Sequence, residues 1–165
     1  MSARKPAPAF ELPNVGPGPD PCSLATLARN ESFVVLLFHH DEECHDCRAQ
    51  AKKAADRYAA LRARDAVAVS VLPTGRDAAE DWQERFDLPH PVLFDPDTGV
   101  GDDYGQPARL TFLGELVPVL GRMPAAVVVD ARGDEPEVAW TYRGKSTWDH
   151  PSMTTVLDGL DSVRE

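Results

Sequence analysis

The stretch from Phe33 to Cys47 restricts the chain more than any other. Phe33–Phe38 is an unbroken apolar run, and the polar turn His39-His40-Asp41-Glu42-Glu43 then delivers Cys44-His45-Asp46-Cys47. The run is too short to span a bilayer but suits a strand covered on both faces. Beyond Cys47, Arg48-Ala49-Gln50-Ala51-Lys52-Lys53-Ala54-Ala55 are good helix formers. The pattern predicts a buried strand handing over to a helix over 44–64, with Cys44 at or near its first turn.

That placement gives the two cysteines a chemistry. Thiols three residues apart in a helical turn share a face, about 5–6 Å apart, within reach of a disulfide. First-turn amides and the helix dipole favour a negative sulfur, lowering a thiol from its usual value of about 8.5. His40, His45 and Arg48 are the groups placed to modulate the thiols, and Arg48 is one turn beyond Cys44. Glu42, Glu43 and Asp46 oppose a thiolate. A competing metal reading takes His39, His40, Cys44, His45 and Cys47 as donors. Zinc accepts such donors, but a structural site normally has a second pair across a longer loop, and adjacent histidines on a strand point to opposite sides. No metal and no cofactor is therefore expected. Cys22, in a Pro-rich segment, is either a spare thiol or a distant resolving cysteine.

At 165 residues the chain is expected to form one domain, 1–165, with a core large enough to need no disulfide staples. A net charge of −10 argues against a nucleic-acid surface, which needs clustered Lys and Arg. The first eight residues lack the apolar core of a signal peptide, and no apolar stretch is long enough for a membrane helix. A cytoplasmic location is the expectation, and three cysteines are too few for a secreted disulfide framework. The acid is mostly Asp and the base mostly Arg. Either a salty host cytoplasm or an ordinary acidic surface accounts for this, and melting in rising KCl separates the two.

The remaining elements follow from periodicity and breakers. Phe10 and Leu12 pin an extended segment before a loop through Gly16-Pro17-Gly18-Pro19. Ser23 caps a short helix through Ala28, with Leu24 and Leu27 on one face. Ala51, Ala54, Ala55, Tyr58 and Leu61 mark the buried stripe of the long helix. Ala66–Leu72 reads as a central parallel strand, 77–86 as an amphipathic helix carrying Trp82 and Phe86, and Val92–Phe94 as a short strand. Asp95 to Gly105 is turn-rich, with Asp95, Asp97, Asp102 and Asp103 read as solvated rather than as a calcium loop. Residues 106–122 are apolar but interrupted by Pro118 and Gly121. A buried strand over 125–129 and a near-edge strand over 138–143 make a hairpin, and Asp149 or Ser152 caps a last helix. His90 and His150, each followed by Pro, are assigned to turns.

This order resembles the thioredoxin fold, and within it the peroxiredoxin-like redoxins (alkyl hydroperoxide reductase and thiol-specific antioxidant proteins). The resemblance covers nearly the whole chain. It runs through Ala7-Pro8-Ala9-Phe10-Glu11-Leu12, Ser23-Leu24, the strand at Val67 to Val71, Phe86 to Asp95, and Met123-Pro124 leading into Ala126-Val127-Val128-Val129-Asp130. It implies an α/β class: a thioredoxin-like fold, a central mixed β-sheet flanked by helices, with an N-terminal redoxin extension. It also implies that Pro124 is a cis-proline facing the active cysteines, and that Met123 and Pro124 offer a docking groove for a substrate.

The site departs from the standard peroxiredoxin pattern Pro-x-x-x-Thr-x-x-Cys. Cys47 takes the attacking position, Cys44 stands where the Thr would be, and His40 where the Pro would be. The family's later arginine falls on Pro124, with Arg122 close by. The resemblance implies a thiol–disulfide oxidoreductase whose Cys44 attacks a partner disulfide and whose Cys47 resolves it. The alternatives are a thiol peroxidase with Cys47 or Cys44 attacking a hydroperoxide, and a redox-inert or zinc-binding interaction module. The expected partner is a protein or small-molecule disulfide or thiol, or a hydroperoxide, with no nucleic acid and no membrane.

Overall fold

A computed structural model of the chain describes residues 4–39, 45–105, 124–145 and 149–165, with backbone alone for 45–47. The elements are β1 (Lys5–Pro6), β2 (Glu11–Leu12), β3 (Cys22–Ser23), α1 (Leu24–Asn30), β4 (Phe33–Phe38), α2 (His45–Asp56) and α3 (Tyr58–Arg62). They continue with β5 (Ala66–Leu72), α4 (Arg76–Phe86), β6 (Val92–Phe94), α5 (Gly99–Asp103), β7 (Ala125–Asp130), β8 (Glu137–Arg143) and α6 (Met153–Arg164).

Among the described residues the main sheet runs β1-β8-β7-β4-β5-β6, and β2 and β3 form a separate ribbon. β4, β5 and β6 are parallel, whereas β7 is antiparallel to both β4 and β8. Every residue of β4, β5 and β7 is buried, which is why these strands read as continuous apolar runs rather than as alternations. On one face Val34, Leu36 and Phe38 pack with Val67, Val69, Val71, Phe10 and Tyr104. On the other, Phe33, Val35 and Leu37 pack against Ala54, Leu61, Val156 and Leu160 of the covering helices. Small alanines in α2 let its axis lie close to the sheet. The fold is the mixed α/β sheet flanked by helices that the sequence implied.

Two expectations need correction. The helix over 44–64 is two helices: Arg57, at φ −105 and ψ 18, interrupts it, and α3 restarts on 3₁₀-type bonding from Ala60 N to Arg57 O. The break sets Tyr58 against the buried His90 ring, 6.2 Å between centroids. Asp95 is not a solvated turn residue. It is buried, and its carboxylate accepts from Val100 N at 2.9 Å to hold the start of α5. Of the two caps offered for α6, Ser152 serves, accepting from Thr155 N as expected, while Asp149 accepts from the Tyr142 hydroxyl and Lys145 N. The strand over 138–143 does lie near an edge, with the two-residue β1 paired outside it.

Candidate functional site

The parallel strands β4 and β5 end at one edge of the sheet, and α2 begins above that edge. Ligand sites in α/β sheets gather at the carboxyl ends of such strands. Cys47 is the third residue of α2, so its backbone lies in the first turn, at the positive end of the dipole. β7 arrives antiparallel with Ala125 opposite Phe38. That register sets the buried Pro124 level with the end of β4, where its carbonyl accepts from Gly144 N at 2.7 Å. The fold thus brings the turn bearing Cys47 and the start of β7 to the same edge. Cys44, His40 and Met123, and the side chains of His45 and Cys47, lie outside the described part. So does the 123–124 peptide bond, and with it the cis expectation; among the described residues the cis bond is Asp20-Pro21.

Arg48 is half-buried with its guanidinium 5.9 Å from the Phe86 ring centroid, a cation–π contact that ties α2 to α4. Cys22 is fully buried in β3 rather than in a loop, and burial pushes its thiol up to about 11. Such a thiol is protonated and inaccessible near neutrality, the state of a spare core cysteine.

Beside the end of β4 lies a buried polar group that sequence reasoning missed. His39, one residue past β4, is fully buried, with its Nε2 3.0 Å from Ser70 Oγ of β5. The same Oγ is 3.0 Å from Nε2 of His90, also fully buried. His90 sits in the predicted bend but belongs to the core. The loop over it is held by Asn14, whose Oδ1 accepts from both Gly16 N and Val92 N. Gly16 comes so close to His90 O and Val92 N that a β-carbon there would lie 2.7 and 2.9 Å from them. Burial, then His150 and His90, push the His39 imidazole down to about 3; burial alone takes His90 to about 4. Both rings are neutral at physiological pH. The Trp82 ring lies 5.4 Å from His39. One signal was present in the sequence: Ser70 is the lone hydroxyl in an apolar strand, and a buried hydroxyl needs a partner.

A cavity of about 270 Å³ opens between α2 and the start of α6, lined by Ala49, Gln50, Lys53, His150 and Met153 among others. Gln50 is 5% exposed and donates from Nε2 to Pro151 O at 3.2 Å. Of the donors considered for a metal, His39 has a described side chain, and its Nε2 is engaged by Ser70. Among the described residues no cluster of three His, Cys, Asp or Glu side chains could hold a metal ion. No described helix is long and apolar enough to cross a membrane.

The AhpC/TSA family model matches residues 3–134, four-fifths of the chain. The chain belongs to the AhpC/TSA family. Members of this family are thiol-dependent enzymes, peroxidases and disulfide reductases among them. The peroxidoxin BcpB from Mycobacterium tuberculosis superimposes on this redoxin with a TM-score of 0.77 at 20% identity, over 99% of this chain and 97% of that one. The reduced 2-Cys peroxiredoxin of Plasmodium vivax gives a TM-score of 0.78 at 16% identity, over 97% and 94%. A putative thiol:disulfide interchange protein, DsbE from Chlorobium tepidum, gives 0.68 at 20% identity, over 97% and 99%. At these identities the likenesses establish the thioredoxin-like fold. No curated protein matches the redoxin by sequence.

Proposed function

We propose that this redoxin is a thiol–disulfide oxidoreductase whose active dithiol is Cys44–Cys47. The observation that carries the reading is the placement of Cys47 in the first turn of α2, at the sheet edge where Pro124 opens β7. The Cys44 thiolate attacks one sulfur of a partner disulfide, forming a mixed disulfide and releasing the other partner sulfur as a thiolate. Cys47 then loses its proton and attacks Cys44, expelling the second partner thiolate and leaving an intramolecular disulfide. Two electrons pass to the partner, and the two thiol protons follow them. Met123 and Pro124 hold the incoming chain, and His40, His45 and Arg48 adjust the thiols. A reducing compartment such as the cytoplasm suits a dithiol that must be returned to its reduced state.

Family membership favours a second reading, a thiol peroxidase. There Cys47 or Cys44 takes one peroxide oxygen as a sulfenic acid, the alcohol or water departs, and the other cysteine closes the disulfide with loss of water. Cys44, His40 and Pro124 stand where the standard peroxidase has Thr, Pro and Arg, which weakens the peroxide grip and ranks this reading second. Reduced protein is mixed separately with stoichiometric hydrogen peroxide and with oxidised protein or small disulfides, and mass and tryptophan emission are followed. Fast loss of two mass units with disulfides and slow loss with peroxide is the expected result. The reverse order makes it a peroxidase, and sluggish response to both refutes both enzyme readings.

A further inference from the structure

The cavity between α2 and the start of α6 collects polar groups that the fold leaves unused. Gln50 lines it, is 5% exposed, and commits its Nε2 to Pro151 O. Its Oε1 is buried and meets no hydrogen-bond partner among the described residues. A buried amide oxygen left unpaired is costly, so this one calls for an N–H or O–H donor from outside the chain. Another wall is the N-terminal end of the twelve-residue α6, through Ser152 and Met153. Thr155 N is taken by the Ser152 hydroxyl and Val156 N by Ser152 O. Met153 N and Thr154 N, ahead of the first intrahelical bond, are left without a partner among the described residues. Lys53 brings an ammonium to the rim, and Arg57, one turn further along, donates to Thr154 Oγ1 at 3.2 Å. The nearby Asp149 carboxylate is engaged by the Tyr142 hydroxyl and Lys145 N.

We propose that this cavity binds a small carboxylate carrying a hydroxyl or amino donor on the neighbouring carbon. The carboxylate takes the two free amides of α6 and the Lys53 ammonium, and the donor takes Gln50 Oε1. The two halves lie close together. Gln50 is hydrogen-bonded to the carbonyl of Pro151, two residues before Met153, so one short ligand spans from the amide to the helix start. Free amides at a helix N-terminus, with a cation beside them, are suited to an anion. A helix end alone would take any anion; the unpaired Gln50 acceptor adds the demand for a donor. Size and charge narrow the class further. A volume of about 270 Å³ holds a metabolite rather than a nucleotide or a peptide. A chain of net charge −10 repels a phosphate, at about −1.5 to −2, more than a carboxylate. The site does not depend on which chemistry the cysteines perform.

Amide NMR of the ¹⁵N-labelled full chain tests this by titration with glycolate, glycine, acetate and inorganic phosphate at low salt. Saturating shifts confined to residues 49–53 and 150–155 are expected with glycolate or glycine, at a Kd of about 1 mM or tighter. Which of the two binds better tells a hydroxyl ligand from an amino one. Acetate, which has no donor for Gln50, should bind about tenfold more weakly. Gln50→Leu should bring glycolate and glycine down to the affinity of acetate, whereas Lys53→Met should weaken all three carboxylates alike. Lys53 is exposed, so that variant reports even if Gln50→Leu does not fold. Shifts that fail to saturate, or that scatter over the surface, leave the cavity to solvent and overturn the proposal. Phosphate binding as tightly as glycolate and glycine overturns the carboxylate class. Acetate equal to both of them, a folded Gln50→Leu protein that keeps the preference, or Lys53→Met binding like the wild type overturns the assignment of the site.

Discussion

Lowering the pH should unfold this protein earlier than its carboxylates require, and His39 and His90 are the reason. Both are fully buried and neutral, displaced by burial from an ordinary value of about 6.5 to about 3 and about 4. In the unfolded chain each ring is free to take up a proton below pH 6.5. Between pH 6.5 and 4 the unfolded state therefore binds more protons than the folded one, and stability falls as the pH falls. The contribution is fully present above pH 7. At pH 5 each histidine has withdrawn about 2 kcal/mol, and the pair about 4 kcal/mol, at 1.36 kcal/mol per pKa unit. That is a large fraction of the 5–15 kcal/mol typical of a domain. Asp130 titrates in a different window. Burial favours its neutral form, but hydrogen bonds from Arg132 and Arg4 outweigh that and hold the carboxyl well below the usual range. Its stabilisation is kept above about pH 4 and lost below, so the window from 6.5 to 4 isolates the histidines. Urea titrations at pH 7, 6 and 5 should show a progressive loss. His90→Gln should reduce the loss between pH 7 and 5 by about 2 kcal/mol, because an amide does not titrate there. Equal stability at pH 7 and 5, or an unchanged slope in His90→Gln, refutes the argument.

Other outcomes follow from the same geometry. Cys47→Ser should accumulate a mixed disulfide with a partner thiol on non-reducing gels, whereas Cys44→Ser should not; the reverse pattern reassigns the attacking sulfur. Asp130→Asn removes the charge that Arg4 and Arg132 grip at 2.7 and 2.9 Å, and should lower stability by about 1–3 kcal/mol in urea at pH 7. A β-carbon at Gly159 would run into the Trp140 ring, so Gly159→Ala should lower the melting temperature despite alanine's better helix propensity, at about 1–3 kcal/mol. Gly133→Ala, which meets nothing within 4 Å, is the matched control and should leave the melting temperature unchanged.

Much of the frame was legible before any coordinates. β4, β5 and β6 fall where the apolar runs of Phe33–Phe38, Ala66–Leu72 and Val92–Phe94 begin and end, because strands buried on both faces leave a continuous signal bounded by turn residues. Ser23 was readable as a cap because capping is a local hydrogen bond within one turn. The break at Arg57 was not readable: 44–64 contains no Gly or Pro, and the interruption accompanies the packing of Tyr58 on a ring 32 residues further along the chain. Asp95 looked like a surface turn because its partner, Val100 N, is a backbone group with no trace in side-chain pattern.

The sequence by itself determined that a buried strand is followed by a polar stretch with two cysteines, and that the chain around it follows the redoxin order. Those are local facts, carried by periodicity, spacing and breakers. Only the tertiary structure decided that Ser70 stands between His39 and His90, because 31 and 20 residues separate it from them along the chain. It also decided that Pro124 is level with the end of β4, through a strand register the composition does not encode. A hydrogen bond between neighbouring strands depends on pairing and burial, and neither is visible until the sheet has closed.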